Sequence, residues 1–180
     1  RKEVCYLPPP SNESSPTGNT IILDLDVGGY CRPETGGKLV VGSTEPACDT
    51  LNWVDDPDNY NSEFSDQWMV QAMRMAMRMP DIGIPGQASG VVALYDASDD
   101  WVPIYDRSDL PGYYMACATS GNQFKNAPVA GALMTTLIDA CEAGHDHDAS
   151  PVQFPLKRTG HMLDLGNFSR NRPIHQDSSV

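Results

Sequence analysis

The sequence predicts an α+β fold: a mixed or antiparallel sheet covered by one helix, followed by a separate strand–loop–helix unit. Short apolar runs bounded by Gly and Pro in residues 1–7 and 21–46 are typical of strands. Residues 62–79 instead repeat apolar side chains every three or four positions, as one face of a helix does. A compact apolar run at 113–120 precedes a second helical pattern, so the order is strands, helix, strands, helix, which is typical of an α+β protein or of part of an α/β protein.

The first strand is predicted at residues 1–7, because three prolines follow it and proline cannot donate a hydrogen bond to a neighbouring strand. A polar loop is expected at residues 11–20. The stretch IILDLDVGGYCRPETGGKLVVGSTEP then predicts two or three strands with a hairpin turn at ETGG. We expect the apolar side of these strands to come from Ile22, Leu23 and Leu25.

The first helix is predicted from Ser62 to Met79. Ser62 or Ser65 can cap its start, and Pro80 ends it. Its stripe of large apolar side chains is interpreted as core packing, because methionine fills irregular gaps well. The stripe consists of Trp68, Met69, Ala72, Met75, Ala76 and Met79.

Further strands are predicted at 90–98, 101–106 and 113–120, each a short apolar run that ends in polar turn residues. The second helix follows the last of these strands. Pro128 fits its first turn, and Gly144 is well placed to end it. The buried face of this helix is expected to consist of Val129, Leu133, Thr136 and Leu137.

The composition of the chain excludes several classes of partner. It carries 24 acidic and 12 basic residues, a net charge of −12, so it repels nucleic acid and anionic membrane surfaces. No apolar run approaches the roughly 18 residues that a membrane-spanning helix needs. The five cysteines show no CxxC pair, which favours reduced thiols in a cytoplasmic protein over a disulfide framework or a zinc site.

The segment GHDHD, Gly144–Asp148, holds two His and two Asp side chains at the predicted end of the second helix. Adjacent positions cannot all converge on one ion, so an exposed turn is the favoured interpretation and no metal site is predicted. The patterns GxSxG, HExxH and the phosphate-binding loop do not occur, which leaves hydrolase and nucleoside triphosphatase functions without support. The dinucleotide-binding pattern GxGxxG does not occur either.

The stretch ATSGNQFKNAPVAG, residues 118–131, places a lysine at the start of the second helix. A glycine after a strand lets a ligand approach the backbone, and a helix N-terminus carries free N–H groups and partial positive charge. Lys125 adds a full positive charge at that end, where the helix dipole favours anions. An anionic ligand would supply the missing negative charge. The alternative is a lysine that points into solvent beside an ordinary cap.

Three stretches taken in order resemble the C-terminal half of the D-amino-acid oxidase-like flavoproteins. This superfamily includes sarcosine oxidase, glycine oxidase and dimethylglycine dehydrogenase. The stretches are YCRPETGGKLVVGSTEP, GVVALYDASDDWVPI and GYYMACATSGNQFKNAPVAGALMTTLI. The resemblance covers about residues 20–140, and LDLGNFSRNR near the C-terminus is similar to the tails of some dehydrogenase members. Three motifs in this order are more specific than any one of them.

The resemblance implies FAD-dependent oxidation of a C–N bond. The substrate would be a small molecule, an amino acid or an N-methyl amine, and a hydride equivalent would pass from its carbon to N5 of the flavin. The resulting imine would then hydrolyse. The rival interpretation is a non-catalytic acidic α+β module that binds a partner or serves a structural role without a cofactor.

The resemblance also implies roles for individual residues. Lys125 matches a lysine that binds the substrate carboxylate in sarcosine oxidase, and Tyr30 matches a tyrosine that helps to hold the same group in D-amino-acid oxidase. Tyr95 matches a tyrosine that lines the pocket, so these three are the candidate catalytic residues. The N–H groups of the loop and the helix end would stabilise negative charge on the flavin. The candidate FAD-binding residues are Ser120, Gly121, Asn122, Gln123, Phe124 and Lys125.

Three positions depart from the pattern of these flavoproteins. Ala93 lies where sarcosine oxidase attaches its flavin through a cysteine, so FAD is expected to bind non-covalently. Val40 lies near the position of the lysine that activates oxygen in sarcosine oxidase, which supports a dehydrogenase at least as well as an oxidase. SGNQF replaces SGHGF, so Asn122 and Gln123 stand in place of a histidine and a glycine.

The resemblance divides the chain into three parts. Residues 1–100 are predicted to be a partial substrate-binding domain, 101–145 a strand–loop–helix of an FAD-binding domain, and 146–180 an extended tail. In these flavoproteins a βαβ unit with GxGxxG holds FAD. The expected partner is therefore a missing N-terminal FAD-binding segment, without which the chain would be inactive. Exposed apolar edges would also permit a homo-oligomer.

Overall fold

The computed structural model describes residues 1–9 and 20–174. The chain forms two compact units, Arg1–Leu94 and Tyr95–Val180, each with its own buried core. Helices and strands both occur in the described residues, a mixture that is compatible with an α+β protein. The assignment to a substrate domain and an FAD-binding domain stays a prediction. None of the described helices is long and apolar enough to cross a membrane.

In its described residues, the first unit contains a five-stranded sheet and one α-helix. Along the chain the strands are β1 (Lys2–Leu7), β2 (Ile22–Asp24), β3 (Gly29–Glu34), β4 (Lys38–Ser43) and β5 (Gly90–Ala93). Their order across the sheet is β2-β3-β4-β1-β5, and every neighbouring pair is antiparallel. The short strand β2 therefore forms one edge of the sheet and β5 forms the other.

The strands in the N-terminal part of the chain agree with the sequence. The strand predicted at residues 1–7 is β1, and β2, β3 and β4 occupy the stretch for which two or three strands are predicted. The predicted hairpin turn joins β3 to β4, where Gly36 and Gly37 have φ angles of +79° and +73°. Glycine adopts such angles without strain. The loop predicted at 11–20 lies outside the described residues except for Thr20.

The predicted apolar side of these strands is wrong for two of its three residues. Ile22 packs against the core, but Leu23 and Leu25 expose 62% and 68% of their surface. Successive side chains of a strand point to opposite faces, so Ile22 and Leu23 cannot share one. The helix of this unit covers the face of Ile22, and Leu23 lies on the other face of the edge strand.

Helix α1 (Gln67–Ala76) is shorter than predicted at both ends. The N-cap residue is Asp66, whose side chain makes no cap hydrogen bond, so neither Ser62 nor Ser65 occupies the cap position. The hydroxyl of Ser65 does accept a hydrogen bond from the N–H of Gln67 at 3.2 Å, just before the helix. Ala72 and Met75 are fully buried against the sheet, so the methionine-rich stripe is core packing, as predicted. The other stripe residues that pack against this core are Trp68, Ala76 and Met79.

The core beneath α1 is built around one cross-strand row. Cys5, Val41 and Cys31 lie in register on β1, β4 and β3 and are completely buried. Burial raises the pKa of the Cys5 thiol to about 11, because a thiolate is poorly solvated there. The two cysteines therefore act as small apolar side chains. Leu7, Leu39 and Ile82 belong to the same cluster.

Up to residue 174, the second unit contains two hairpins and one long helix. Strand β6 (Ile104–Arg107) pairs with β7 (Tyr114–Cys117), and β8 (Gln153–Leu156) pairs with β9 (His161–Asp164), both antiparallel. Helix α2 (Ala127–Glu142) lies between the two hairpins in sequence. Its core packs the helix against β6 and the C-terminal residues.

Helix α2 begins and ends as predicted. Pro128 lies in its first turn, and Gly144 follows its end with a φ angle of +90°. The sequence predicts an extended chain beyond this point, whereas the structure forms the hairpin β8–β9 and a short 3-10 turn at Leu165–Phe168. These strands have only four residues each, so their pairing depends on packing rather than on a strong local pattern.

The buried face of α2 agrees with the sequence only in part. Leu133 and Leu137 are buried as predicted, Thr136 is partly buried, and Val129 exposes 48% of its surface. Small and apolar side chains occur on most of the circumference of α2, so periodicity does not select a single face. The side on which Val129 lies is only partly covered by the described residues of this unit.

Two arginines fasten the C-terminal residues to the second unit. Arg172 binds both carboxylate oxygens of Asp100 at 2.8 and 2.6 Å, and both side chains are buried. Arg170 reaches Asp106 at 3.1 Å and Asp148 at 2.9 Å. Bidentate pairing of this kind fixes geometry as well as charge. The segment with Arg170 and Arg172 is therefore an integral part of this unit.

Candidate functional site

The loop after β7 contains backbone conformations that residues other than glycine seldom adopt. Ala118, Ser120 and Gly121 have φ angles of +54°, +50° and +74°. Such conformations persist only where the surroundings hold them, and they concentrate at functional sites. We call residues 118–126 the site loop. The contacts that hold it come from two other segments of the second unit, residues 95–96 and strand β6.

The side chain of Tyr95 lies directly against Gly121. A Cβ atom built on Gly121 would be 2.2 Å from Cε2 of Tyr95. No side chain fits at that separation, and the positive φ angle disfavours one independently. The structure thus brings together two of the residues predicted for the site, a tyrosine ring and the glycine on which it packs.

Asp96, next to this tyrosine, fastens the start of the site loop. The hydroxyl of Thr119 donates to Oδ1 of Asp96 at 2.5 Å, and the N–H of Ser120 donates to its carbonyl oxygen at 3.0 Å. Burial alone would raise the pKa of Asp96, but the Thr119 hydroxyl and backbone N–H groups outweigh it, so the pKa is lowered. Sequence reasoning missed Asp96. Asp96 follows Tyr95, a predicted pocket residue, and this position in the sequence could have marked it as a candidate.

Gln123 joins the middle of the site loop to strand β6. Its Oε1 accepts hydrogen bonds from the hydroxyl of Tyr105 at 3.2 Å and from Nδ2 of Asn126 at 3.0 Å. Its Nε2 donates to Oδ1 of Asn122. The two residues that replace histidine and glycine in the resemblance pattern are therefore bonded to each other, and they link the loop to the core.

Lys125 lies in a 3-10 turn, Phe124–Asn126, directly before α2. Its ammonium is exposed and donates to the carbonyl oxygen of Asn122 at 2.7 Å. An ammonium has three donors, so donors remain for a ligand. Eight of the twelve basic side chains form ion pairs with carboxylates in the described residues, whereas Lys125 forms none there.

The N-terminal end of α2 can accept an anion. The side chain of Asn126 donates to Gln123 instead of capping the helix, and the first turn holds no acidic residue. The first N–H groups of a helix have no partner within it. Phe124 exposes 98% of its surface, so an apolar side chain borders this positive end. A flavin, which combines an apolar ring with an electron-rich edge, fits these residues.

Ser120 differs from the other candidate FAD-binding residues because it is buried. Its hydroxyl donates to the carbonyl oxygen of Ala118 at 3.2 Å, and its N–H is used by Asp96. Both of its donors therefore stabilise the site loop itself. The exposed candidates are Gly121, Phe124 and Lys125.

Tyr30 belongs to the first unit. Cys31 faces α1, so the preceding tyrosine lies on the opposite face of the sheet. Its ring packs over Gly42, where an added Cβ atom would be 2.5 Å from Cε1 of Tyr30. The structure thus places one candidate catalytic residue in the first unit and the other two in the second.

The sequence model of the family FAD dependent oxidoreductase (DAO) matches residues 1–137. The chain belongs to this family. The family predicted from the three motifs is therefore confirmed, and FAD-dependent oxidoreductase chemistry is its general class. The DAO match includes Tyr30, Tyr95 and Lys125 and ends within α2. No curated protein and no solved structure matches the chain significantly.

Within the DAO family, the likeness to sarcosine oxidase, glycine oxidase and dimethylglycine dehydrogenase stays a prediction. Val40 is buried in β4, in register with Tyr6 and Arg32 on the face opposite α1. Ala93 is the last residue of β5. Neither side chain carries a nucleophile or a charge, so neither can attach a flavin or activate oxygen.

The exposed turn predicted for GHDHD is wrong for His147, which exposes only 1% of its surface. Its Nδ1 accepts a hydrogen bond from the N–H of Val152 at 3.0 Å, and its Nε2 lies 3.7 Å from Oδ1 of Asp106. Burial lowers the pKa of His147, because the charged ring is poorly solvated. Its neighbours His145 and Asp146 are exposed. No group of three or more His, Cys, Asp or Glu side chains within residues 1–9 and 20–174 could hold a metal ion.

Proposed function

We propose that this chain is part of an enzyme that oxidises a C–N bond of an amino acid or an N-methyl amino acid. The observation that carries the proposal is the exposed ammonium of Lys125. It has no carboxylate partner in the described residues, although the chain has a net charge of −12. A substrate carboxylate complements this charge, and a charge-assisted hydrogen bond is about twice as strong as a neutral one.

Some residues of the site loop bind the substrate, and others contact the cofactor. Lys125 binds the substrate carboxylate, and Tyr95 borders the same pocket beside Gly121. FAD, when bound, accepts the hydride equivalent that leaves the substrate carbon. Residues 120–125 and the first turn of α2 are the part of the chain that would contact FAD, without a covalent bond.

The partner that we propose is an FAD-binding segment with the GxGxxG pattern, which this sequence does not contain. The exposed side chains at the start of α2 support this partner. Phe124 and Val129 present apolar surface beside the uncapped helix end. Burying them against such a segment removes apolar surface from water at the place where FAD would be held.

The identity of residue 40 supports an electron acceptor other than oxygen. Val40 lies near the position of the lysine that activates oxygen in sarcosine oxidase, so we propose dehydrogenase rather than oxidase behaviour. Rapid reduction by substrate, slow reoxidation in air and fast turnover with an artificial acceptor would support this. Equally fast reoxidation in air would contradict it. All five cysteines are free thiols, which supports the proposed cytoplasmic location.

The proposed activity is tested with the full-length protein purified in the presence of FAD. Without oxygen, the flavin absorbance is followed after addition of sarcosine, dimethylglycine, glycine or D-alanine, and of the matching amines without a carboxylate. We expect reduction by at least one carboxylated amine and by none of the matching amines. Absence of bound FAD would favour the non-catalytic acidic module instead, and reduction by the plain amines would contradict the role of Lys125.

Replacement of Lys125 tests the carboxylate site directly. Lys125→Met removes the ammonium but keeps the length of the side chain, so KM for the carboxylated amine should rise about 10- to 100-fold, the range expected for a hydrogen bond to a charged group. Lys157 is the matched control, because it is also a lysine without an ion pair in the described residues. Lys157→Met should leave KM unchanged, and equal effects of both replacements would contradict the proposal.

A further inference from the structure

One side chain of the core reaches the site loop. The hydroxyl of Tyr105 donates to Oε1 of Gln123 at 3.2 Å, across eighteen positions of the sequence. The same Oε1 accepts from Nδ2 of Asn126, so Tyr105 of β6 and the last residue of the site loop both bond to one amide oxygen. Such contacts connect the loop, which is exposed in part, to a residue of the buried cluster.

Tyr105 is itself held rigidly. It exposes only 5% of its surface, pairs with Ala116 across the hairpin β6–β7, and belongs to the core with Leu133. Its ring lies 5.4 Å from the ring of Phe168, at an interplanar angle of 42°. Tilted aromatic pairs at this distance are favourable. The hydroxyl of Tyr105 therefore has a fixed position, and its hydrogen bond to Gln123 fixes the position of the loop.

The bonds continue from Gln123 to the Lys125 ammonium. Nε2 of Gln123 donates to Oδ1 of Asn122, and the carbonyl oxygen of Asn122 accepts the hydrogen bond from Nζ of Lys125 at 2.7 Å. The N–H of Asn122 also donates to the carbonyl oxygen of Thr119 at 3.1 Å. The placement of Asn122 therefore sets where the lysine is anchored.

We propose that Tyr105 and Gln123 are positioning residues for the substrate carboxylate. They hold Asn122, whose carbonyl oxygen keeps the flexible lysine side chain in one place before the substrate arrives. Lys125 then loses less conformational freedom on binding, which raises affinity without a new contact. This role rests on the proposed function, because it acts through the carboxylate contact of Lys125.

The test compares two tyrosines of the same hairpin in the full-length FAD-bound protein. Tyr105→Phe removes the hydroxyl that binds Gln123 but keeps the packed ring. Tyr114→Phe is the matched control, since its hydroxyl donates to Oε1 of Glu142 at 2.7 Å, at the other end of α2. Gln123→Met provides a second variant in the loop itself, where no core side chain is changed.

Two measurements are made on each variant. Amide hydrogen exchange of residues 119–126 should become faster in Tyr105→Phe and Gln123→Met and stay unchanged in Tyr114→Phe. KM for the carboxylated amine should rise about two- to tenfold with little change in kcat, the range of one neutral hydrogen bond. Exchange that stays unchanged in both loop-directed variants would overturn the proposal.

The decisive comparison uses the Lys125→Met background. Residues that act through one partner lose their separate effect when that partner is removed. Tyr105→Phe should therefore raise KM when it is the only replacement. When it is added to Lys125→Met, it should cause no further rise in KM. An equal effect in both backgrounds would show a general structural role and overturn the proposal. If no carboxylated amine reduces the flavin, the proposed function fails, and the positioning role for a carboxylate fails with it, whatever the exchange rates show.

Discussion

Several connections in this protein use positive φ angles, and two of them do so for different reasons. The turn between β3 and β4 places such angles on Gly36 and Gly37, where an added Cβ atom would meet nothing within 4 Å. The site loop also places them on Ala118 and Ser120, and its Gly121 lies against a tyrosine ring. The first connection is a simple hairpin turn, and the second is a loop held by its surroundings.

The carboxylates that stabilise these two connections also differ, since one comes from the turn itself and the other from a separate segment. In the hairpin turn, Glu34 accepts hydrogen bonds from the N–H and the hydroxyl of the next residue, Thr35, at 2.9 and 3.2 Å. In the site loop, the hydroxyl of Thr119 donates to Asp96, which comes from a different segment. A turn that is stabilised by its own neighbours can form alone. A loop that depends on distant residues forms only with the rest of its unit.

The largest expected difference between the two connections is at their glycines. Gly121→Ala introduces a Cβ atom 2.2 Å from Tyr95 at a φ angle of +74°. We expect a loss of about 3 kcal/mol in the free energy of unfolding, from steric overlap and backbone strain together. Gly36→Ala meets open space and should cost about 1 kcal/mol, from the φ angle alone. Denaturant unfolding of both variants measures this difference, and equal losses would contradict the comparison.

An intermediate effect is expected at Asp96. Asp96→Ala removes the acceptor of Thr119, and we expect a loss of about 1 kcal/mol in stability, the usual size of one hydrogen bond. The folded-state pKa of Asp96 is lowered, so its stabilisation is complete above its unfolded pKa of about 3.9 and is lost as the pH falls through the folded value.

Amide hydrogen exchange of the site loop at decreasing pH, corrected for the intrinsic pH dependence of exchange, checks this sign. Protection of Ser120 should weaken below about pH 4 in the normal protein and change little in Asp96→Asn, which has no carboxylate to protonate. Protection that weakens equally in both proteins would contradict the role of Asp96.

The smallest effect is expected at Glu34. The N–H of Thr35 and the guanidinium of Arg32 lower the pKa of Glu34, but its side chain lies partly exposed at the surface, where water weakens such interactions. Glu34→Gln keeps an oxygen that can accept a hydrogen bond from Thr35. The free energy of unfolding should therefore fall less than it does for Asp96→Ala. A larger change at Glu34 than at Asp96 would show that the hairpin turn, too, depends on more than its own neighbours.

The sequence predicted the regular elements well because their signals are local. Proline after residue 7 marks the end of β1, the Gly36–Gly37 pair marks the hairpin turn, and Pro128 marks the first turn of α2. Three motifs also led to the DAO family, which the family match confirms. Part of the candidate site was found in the same way, since Tyr95 and Gly121 do lie together.

The sequence predicted the burial of several side chains wrongly, because burial depends on which face of a strand or helix is covered. Leu23 and Val129 were expected in the core and are exposed, whereas His147 was expected in solvent and is buried. Each of these residues lies in a segment whose sequence fits the secondary structure or turn predicted for it. A strand or helix pattern shows that faces differ, but the partner that covers one of them comes from elsewhere in the chain.

The sequence by itself determined the order of strands and helices as far as α2, the β3–β4 turn that needs glycine, the family and the lysine at the start of α2. Only the tertiary structure decided how that lysine is anchored, because the bonds from Tyr105 to Gln123 and from Thr119 to Asp96 join segments about 20 residues apart. The physical reason is that backbone preferences act between near neighbours. Burial and hydrogen bonds between separate segments arise only when the chain has packed.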